Sequence, residues 1–554
     1  MSNLPTLETI ALYAAAAAVL FGILGKAKSR LELSLAKHRS LAGHPRTAKR
    51  IASLMPRYTY EEANAFGIDN APAEVVAART AAFADLVTRF QTQYPQTLQA
   101  GSDIAKGLSD LQFVSAYRVP FQFRKLVQGR LQIGSVMQAS EGVSLTDLDG
   151  NQFFDLTGSY GVNVFGNDFY KQCIDTGVQT VRDLGPVLGS YHPVIQDNVQ
   201  RLLRISGMDE ISFHMSGTEA VMQAVRLARY HSRRSKIVRF CGSYHGWWGD
   251  VQPGIGNPVP ARDTFTLAEM SEATLRVLRK RTDIACILIN PLQALHPNAA
   301  APSDGSLLDS SRNARFSKPE YAAWLAQLRS ICDARGIALI FDEVFVGFRL
   351  ARGGAQEYFG VRADMVTYGK TIAGGLPIGA VCGKREWMKR FREDAPADVC
   401  FARGTFNSHP YVMGAMNAFL LRLDDPDIAR LYTDIDQTWD SRAQRLNEQL
   451  ASADVPVRVA NMSSIWTILY TRPACFNWLF QHYLRLEGLA LSWVGTGRII
   501  FALNYTEADF EEVSTRFVRA ALIMKSDGWW WKDEEASNKS IRRRILREML
   551  AAKF

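Results

Sequence analysis

Residues 341–383 read FDEVFVGFRLARGGAQEYFGVRADMVTYGKTIAGGLPIGAVCG, and this stretch decides the fold. Two short runs at its edges, Ile337–Phe341 and Met365–Tyr368, are apolar almost throughout and rich in residues that favour strands. Such runs are typical of parallel strands that are covered on both faces. Asp342 follows the first run directly, and Lys370 follows the second after one glycine. The pattern therefore puts a carboxylate and an amine at the ends of two strands.

The same alternation of apolar runs and helical segments occurs in the sequence before this stretch. Ile237–Phe240 and Ile284–Ile289 are further short apolar runs, and the segment Glu320–Arg335 is helical in its periodicity. This alternation predicts an α/β core with a mainly parallel central sheet and helices on both faces. In sheets of this kind, ligands lie beyond the carboxyl ends of the strands.

A candidate anion site comes at Ser216-Gly217-Thr218-Glu219-Ala220, where a predicted helix opens and runs to about Tyr230. Ser216 and Glu219 have the spacing of a capping box. Gly217 permits close approach to the backbone, and the free N–H groups of a first helical turn attract an anion. Taken alone, however, most caps of this kind bind no ligand.

Other polar residues follow predicted strands. Tyr244-His245-Gly246 comes shortly after Phe240, and Tyr244 can lie flat on an aromatic ligand or serve a purely structural role. Asp342 closes an apolar strand, where a carboxylate needs a partner such as a pyridinium N–H or the N–H groups of the next turn. Lys370 precedes a glycine-rich turn, Gly374-Gly375-Leu376-Pro377-Ile378-Gly379. It is either a solvated lysine or a desolvated amine that is free for imine chemistry.

In combination these motifs are much more specific. The order S-G-T-E-A, Y-H-G, D-E-V and G-K with G-G-x-P-x-G resembles the class III aminotransferases, which depend on pyridoxal phosphate (PLP) and have fold type I. Glutamate-1-semialdehyde aminomutases and the aminotransferase domains of polyketide and lipopeptide assembly lines are the most similar in texture. The resemblance extends from about Gly142 to about Glu512. It implies a small α+β domain beside the central sheet.

The resemblance implies a role for each motif. Lys370 would hold PLP as a Schiff base and move protons, Asp342 would pair with the ring nitrogen, and Tyr244 would stack on the ring. Val344 would press on the opposite face of the ring. The implied cofactor-binding residues are Ser216, Gly217, Thr218, Tyr244, His245, Asp342, Val344, Lys370 and Thr405. Thr405 matches a threonine that reaches the phosphate from the neighbouring subunit, so a homodimer is implied. No metal is expected.

The resemblance implies an amino-acid donor and a carbonyl acceptor, and one departure bears on the acceptor. Where the aminomutase carries an arginine for the substrate carboxylate, this chain has Ala139, and the nearest upstream arginine is Arg130. The loss disfavours glutamate semialdehyde and favours an acceptor that lacks a carboxylate at that point, with aminomutase activity kept as the alternative. The two ends of the chain, described below, favour an acceptor that is lipid-like or polyketide-like. A non-catalytic protein with this fold is the third possibility. The presence of both Lys370 and Asp342 argues against it.

The N-terminus carries a candidate membrane anchor. Thr9–Gly25 is an uncharged stretch of about 17 residues, the short end of what spans a bilayer. Lys26, Lys28 and Arg30 follow it, which indicates an uncleaved anchor with the catalytic domain in the cytoplasm. The alternative is a buried alanine-rich helix of the soluble fold.

The C-terminus also combines apolar and basic residues. Trp529–Trp531 precede Arg542–Arg544, which suits either a membrane headgroup region or a docked helix with a solvated basic face. Much of the net charge of +9 lies near the two ends, which favours an anionic membrane surface over nucleic acid. The seven cysteines are scattered and form no C-x-x-C pair, as expected in a reducing compartment.

These observations predict a division of the chain into six segments. They are a membrane anchor (1–30), a helical extension (31–130), the N-terminal part of the small domain (131–180), the large PLP-binding domain (181–415), the C-terminal small domain (416–525) and a Trp/Arg-rich tail (526–554). The extension is expected to pack either on the catalytic body or on the membrane.

Overall fold

The structure is a computed structural model that describes residues 7–38, 41–133, 136–292, 310, 317–492, 497–531 and 535–553. Its strands are β1 (Met137–Glu141), β2 (Ser144–Asp147), β3 (Gln152–Asp155), β4 (Glu210–His214), β5 (Lys236–Phe240), β6 (Thr264–Leu267), β7 (Ile284–Ile289), β8 (Ala338–Asp342), β9 (Met365–Gly369), β10 (Gly379–Gly383), β11 (Val457–Met462), β12 (Ile465–Tyr470), β13 (Leu489–Ala490) and β14 (Arg498–Ile500).

The α-helices of the described residues are α1 (Leu7–Leu35), α2 (Pro45–Leu54), α3 (Glu62–Ala65), α4 (Ala73–Gln93), α5 (Pro95–Ala105), α6 (Ser109–Tyr117), α7 (Arg124–Val127), α8 (Asn167–Val181), α9 (Val194–Ser206), α10 (Gly217–Ser232), α11 (Glu272–Lys280), α12 (Lys318–Arg335), α13 (Gly354–Phe359), α14 (Arg385–Met388), α15 (Pro410–Arg422), α16 (Pro426–Arg430), α17 (Ile435–Ser452), α18 (Phe480–Leu486), α19 (Glu507–Ser526) and α20 (Asn538–Lys553).

A seven-stranded sheet forms the centre of the body, in the order β4-β10-β9-β8-β7-β5-β6. The strands from β9 to β6 run parallel, and β10 runs antiparallel to both of its neighbours. The apolar runs that predicted strands fall within one residue of β5, β7, β8 and β9. The expected mainly parallel α/β sheet is therefore confirmed.

Alternate residues of the central strands bury two different faces. In β8, Leu339 and Phe341 join the core that contains the apolar stripe of α12, whereas Ala338 and Ile340 join a second core built on α10. Strand side chains point alternately to opposite sides, so helices cover the sheet on both. This double cover explains why the strand sequences are apolar throughout.

Two smaller sheets flank the central one. β1, β2, β3 and the later β13 form a four-stranded sheet, and β11, β12 and β14 form a three-stranded sheet. β13 pairs in parallel with β3, which brings the segment near residue 490 beside the segment near 154. The elements that flank the large sheet on both sides in sequence therefore share one small α+β region.

The extension packs on the catalytic body. Phe66, Phe83 and Phe90 are buried in the same core as the central strands. Arg79 of α4 is fully buried and forms a two-point ion pair with Asp69, with both N···O distances at 2.8 Å. Of the two expected environments for the extension, the structure shows the body.

The N-terminal helix α1 is not part of that core. The segment Ala11–Leu35 is long and apolar enough to cross a membrane, with a mean hydropathy of 1.4, and its most apolar window has no buried residue. The expectation of a buried alanine-rich helix is therefore wrong. Among the described residues, its C-terminal end contacts the body, where Glu32 pairs with Lys280 at 2.6 Å and the Ala36 carbonyl accepts from the Ala268 N–H.

The C-terminal tail is docked. Trp529 has no exposed surface and Trp530 is 8% exposed, and the indole N–H of Trp529 donates to the Tyr483 hydroxyl at 2.6 Å. Helix α20 is tied to the extension through Glu548, which accepts from Tyr60 at 2.7 Å. Of the two environments considered for these tryptophans, the structure selects the protein interior.

Candidate active site

The candidate site lies at the carboxyl ends of β8 and β9. Lys370 directly follows β9 and opens a short 3₁₀ turn, Lys370–Ala373, with the backbone in the left-handed region (φ 51°). The side chain is mostly buried, and its Nζ has no hydrogen-bond partner among the described residues. Burial lowers the pKa of Lys370 below its ordinary value of 10.5, while the charge of Asp342 acts in the opposite direction. The lysine is thus a desolvated amine and not a solvated one.

A left-handed turn, Gly158–Gly161, lies against the lysine. A Cβ atom built on Gly161 would come within 2.4 Å of the Phe345 ring and 3.5 Å of Lys370 Cδ. Gly161 also has a φ of 98°, so glycine is required there for two reasons. Tyr170 joins this region to the lysine turn, since its hydroxyl accepts from the Val164 N–H and bonds with Thr371 Oγ1.

Asp342 and His245 form a buried pair beneath the amine. Their atoms Oδ2 and Nδ1 are 2.7 Å apart, and each residue is almost fully buried. Asp342 Oδ1 accepts from the Val344 N–H at 3.2 Å and from Thr367 Oγ1 at 3.3 Å. Burial lowers the pKa of His245, and the bond to Asp342 opposes this shift. With Nδ1 as the donor, the imidazole fixes the position of the carboxylate.

The start of α10 closes the third side of the site. Ser216 caps the helix by accepting from the Glu219 N–H at 3.3 Å, which leaves the N–H groups of Gly217 and Thr218 without a partner among the described residues. The Glu219 carboxylate accepts from the Met215 N–H at 3.0 Å and not from Ser216, so only half of the expected capping box forms. Two free N–H groups at a helix start suit a phosphate.

Val344 packs between that helix start and the end of β9. A Cβ on Gly217 would lie 2.7 Å from Val344 Cγ1, and a Cβ on Gly369 would lie 3.2 Å from the same atom. Both glycines are therefore needed for the close approach of helix, strand and valine. This packing brings the phosphate-type site, the carboxylate and the amine into one cleft.

Two predicted residues are exposed in the single chain. Tyr244 is 61% exposed, and burial of its hydroxyl, followed by the charge of Asp342, raises its pKa. Its aromatic side chain is thus near the Asp342 carboxylate with much of its surface open. Thr405 is exposed on a loop of the surface. Its contact with a neighbouring subunit stays a prediction.

The structure also identifies two residues that the sequence patterns did not single out. Glu343 is buried beside Asp342 and accepts from the Ala355 N–H at 2.7 Å and the Gln356 N–H at 3.2 Å. Burial raises the pKa of Glu343 to about 8. The only signal in the sequence was the second carboxylate of the Asp-Glu pair, which does not reveal its partners.

Arg349 is fully buried and clamps the turn beside the lysine. Its guanidinium donates to the Asn163 carbonyl at 2.8 Å, the Phe501 carbonyl at 2.6 Å and Ser464 Oγ at 3.1 Å. These bonds join the loop after β8 to the small α+β region. No local pattern marks this arginine, because all three acceptors are distant in sequence.

The cleft fits pyridoxal phosphate. Among the described residues it has an amine without a partner, a buried carboxylate suited to a pyridinium N–H, and free N–H groups at a helix start that suit a phosphate. No group of three or more potential metal ligands occurs among the residues that the structure describes.

Comparison with known proteins agrees with this geometry. The model of the family Aminotransferase class-III matches residues 128–251 and 316–521. A glutamate-1-semialdehyde 2,1-aminomutase from Methanococcus maripaludis is 33% identical over 352 residues, which cover 60% of this chain and 76% of that protein.

Solved structures have the same fold. A transaminase with PLP bound is 26% identical with a TM-score of 0.58, covering 71% of this chain and 91% of that one. A glutamate-1-semialdehyde aminomutase from Pseudomonas aeruginosa PAO1 is 18% identical with a TM-score of 0.63, covering 80% and 98%, and shows the fold alone. The family match, together with the cleft around Lys370, shows that this chain belongs to the class III aminotransferases and is an enzyme that uses pyridoxal phosphate.

Proposed function

We propose that the chain is a membrane-anchored aminotransferase that moves an amino group from an amino-acid donor to a carbonyl group on a lipid-like or polyketide-like acceptor. Lys370 is the residue that carries the cofactor. The observation that supports this assignment best is the desolvated Lys370 amine, without a hydrogen-bond partner in the described chain, beside the buried Asp342.

Bound pyridoxal phosphate supplies a carbonyl carbon for amine exchange and a ring that accepts electrons when the substrate Cα loses its proton. Lys370 serves as the base at that Cα, because desolvation favours the neutral amine that can accept a proton. Asp342 keeps a proton on the ring nitrogen. His245 positions the Asp342 carboxylate for this task through the 2.7 Å bond.

The remaining residues hold and orient the cofactor. The N–H groups of Gly217 and Thr218, together with Ser216, bind the phosphate, and Val344 supports one ring face. Tyr244 covers the other face, and its exposed ring is free to do so. Thr405 reaches the phosphate of a partner subunit, so the active enzyme is a homodimer.

The membrane assignment rests on α1. Its apolar side chains from residue 11 to residue 31 are exposed, for example those of Leu12 (70%) and Phe21 (78%). Lys26, Lys28 and Arg30 follow the apolar part, which favours a cytoplasmic catalytic domain. An enzyme held at a membrane has direct access to an acceptor that partitions into lipid.

Intramolecular amine transfer on glutamate semialdehyde is the second candidate, since a 33% identical relative is named for that reaction. Two observations disfavour it. Ala139, which lies on β1 opposite Thr146, has no guanidinium of its own. The nearest upstream arginine, Arg130, is engaged at the surface with Glu62 at 2.9 Å.

The test uses the purified full-length protein and the Lys370→Ala variant, with Lys389→Ala at an exposed position as the matched control. The wild type and Lys389→Ala should show a visible cofactor absorption band and convert an amino-acid donor to its oxo acid, whereas Lys370→Ala should lose both. An unchanged band and turnover in Lys370→Ala would overturn the catalytic assignment.

Stoichiometry separates the two reactions. A transaminase releases one oxo acid from the donor for each amine that appears on the acceptor, and a mutase releases none. Lipid and metabolite profiles of cells with and without the gene should reveal the missing amine. A change confined to compounds derived from glutamate semialdehyde would contradict the lipid-like acceptor.

A further inference from the structure

A pocket lies at the C-terminal end of the helical extension, and most of its lining residues precede residue 128, where the family match begins. It has a volume of about 280 Å³ and is bounded by α5, α6 and α7 and the segment that follows α7. Most of its wall is apolar, with side chains that include Val119, Val127 and Leu131. Arg118 and Arg124 also line it. The pocket thus combines an apolar wall with positive charge.

Arg118 is buried without a carboxylate. It is 7% exposed, and its guanidinium makes one hydrogen bond to a described side chain, a long 3.4 Å contact from Nη1 to the neutral Gln481. Burial lowers the pKa of Arg118 to about 10, with the nearby cation Arg485 as a second cause, so the side chain still carries its charge at neutral pH. A buried cation is costly unless an anion meets it.

Two other arginines of the extension have that anion. Arg79, which is also buried, has a two-point pair with Asp69, and Arg130 has Glu62. Arg118 has no ion pair with any residue in the described part of the chain. Arg118 also lines the wall of a pocket, where a ligand can supply the missing charge.

Arg118 is within electrostatic range of the turn that contacts the catalytic lysine. The charge of Arg118 interacts with the phenol of Tyr160, which belongs to the left-handed turn Gly158–Gly161. The next residue, Gly161, faces the aliphatic part of Lys370, with 3.5 Å between a built Cβ and Cδ. The Tyr160 side chain is 49% exposed, so it lies at the protein surface and not inside the core.

We propose that this pocket receives the apolar chain of the acceptor and that Arg118 binds an anionic group which that molecule carries near its reacting carbonyl. The inference rests on the aminotransferase activity proposed above and names the acceptor class: a carboxylate or phosphate on an apolar chain. Arg118 would thereby supply from the extension the charge that is missing at Ala139. Binding by a guanidinium is strong because both partners are ionised.

The test is equilibrium dialysis of radiolabelled octanoate, octyl phosphate and octanol against the full-length, cofactor-loaded protein in lipid nanodiscs, with empty nanodiscs subtracted. Arg118→Gln is compared with Arg118→Lys and with Arg130→Gln, the matched arginine that already has a carboxylate. Octanoate or octyl phosphate should bind about tenfold more weakly to Arg118→Gln, as expected for loss of a charged hydrogen bond. Arg118→Lys should retain part of the binding, and Arg130→Gln all of it.

A second variant, Ala116→Phe, fills the pocket without changing Arg118. It should block both anions, and it decides the matter if Arg118→Gln fails to fold. Octanol should bind weakly and equally to wild type and Arg118→Gln, and the tighter of the two anions identifies carboxylate or phosphate as the recognised group. Equal octanoate binding by Arg118→Gln and Arg130→Gln, with Ala116→Phe also unaffected, would overturn the inference. The cofactor band of the same samples reports separately on the proposed aminotransferase activity.

Discussion

The two ends of the chain have similar compositions and opposite environments. Each has an apolar or aromatic segment followed by basic residues, yet Phe21 of α1 is 78% exposed and Trp529 is fully buried. The tryptophan packs against the rings of Phe66 and Phe476, with centroids 5.4 and 5.1 Å away, and its N–H has a partner in Tyr483. The apolar part of α1 has no such surroundings among the residues that the structure describes.

Composition therefore predicts that a segment needs apolar surroundings, but it does not predict whether lipid or protein supplies them. A helix that is apolar on all sides leaves apolar surface exposed when only one of its faces packs on a body. Lipid or a partner protein is then needed to cover the rest. Tryptophans next to a folded body can be covered by that body. Three predictions test this difference between the two ends.

The largest expected effect follows removal of residues 2–24. Because these residues carry the exposed apolar surface, the shortened protein should move almost completely from the membrane pellet to the supernatant. Its contacts through Glu32 and Ala36 remain, so its cofactor band should be retained. Sedimentation of cell extracts at low and high salt measures the change. Continued sedimentation with membranes would mean that another surface holds the protein there.

A smaller effect on the free energy of unfolding is expected for Trp529→Ala. Removal of a fully buried aromatic ring should destabilise the protein by about 3–5 kcal/mol. Phe21→Ala is the matched change at the exposed end and should stay within about 0.5 kcal/mol. Urea unfolding followed by circular dichroism compares the two. Equal losses would show that the two ends are buried alike in the folded protein.

The third prediction concerns the catalytic body, whose stability should depend on pH in a way that the stability of the two ends should not. The pKa of Glu343 is raised to about 8 from an ordinary 4.5, so the folded state binds its proton more tightly than the unfolded state. This contribution to stability is complete below pH 4.5 and is lost as pH rises through 8. Relative to Glu343→Gln, the wild type should lose on the order of 1–3 kcal/mol between pH 5 and 8.

Trp529→Ala provides the control for that experiment, because its loss comes from packing and should be nearly the same at both pH values. Unfolding of both variants in urea at pH 5 and pH 8 gives the comparison. A wild-type curve that runs parallel to that of Glu343→Gln would show that the Glu343 carboxyl does not titrate in this range.

Much of the fold could be predicted from local patterns. The strand at Ile284–Ile289 was placed to the residue, and the helix predicted over 320–335 is α12, Lys318–Arg335. The stripe of Tyr321, Leu325, Leu328 and Cys332 is buried as expected. All seven cysteines are buried and free. The strand and the helix follow from periodicity over a few residues, which can be read directly from the sequence.

The site was less completely predictable. The strand-end rule led to Asp342 and Lys370, which lie at the end of β8 and directly after β9, and the structure brings Gly217, Val344 and His245 to the same cleft. The bond between His245 and Asp342 joins residues 97 positions apart, and Arg349 finds acceptors at still greater separations. Such contacts depend on how distant segments meet, and no local spacing records that.

By itself, the sequence determined the α/β class, the strand ends that carry a lysine and an aspartate, and the family they resemble, because side-chain period and residue order are local properties. Only the tertiary structure decided what covers each apolar segment. The body covers Trp529 and the extension, whereas none of the described residues covers the most apolar window of α1. Burial depends on which surfaces meet after folding. For the same reason, only the folded structure shows that Arg118 is a buried charge without an ion pair among the described residues.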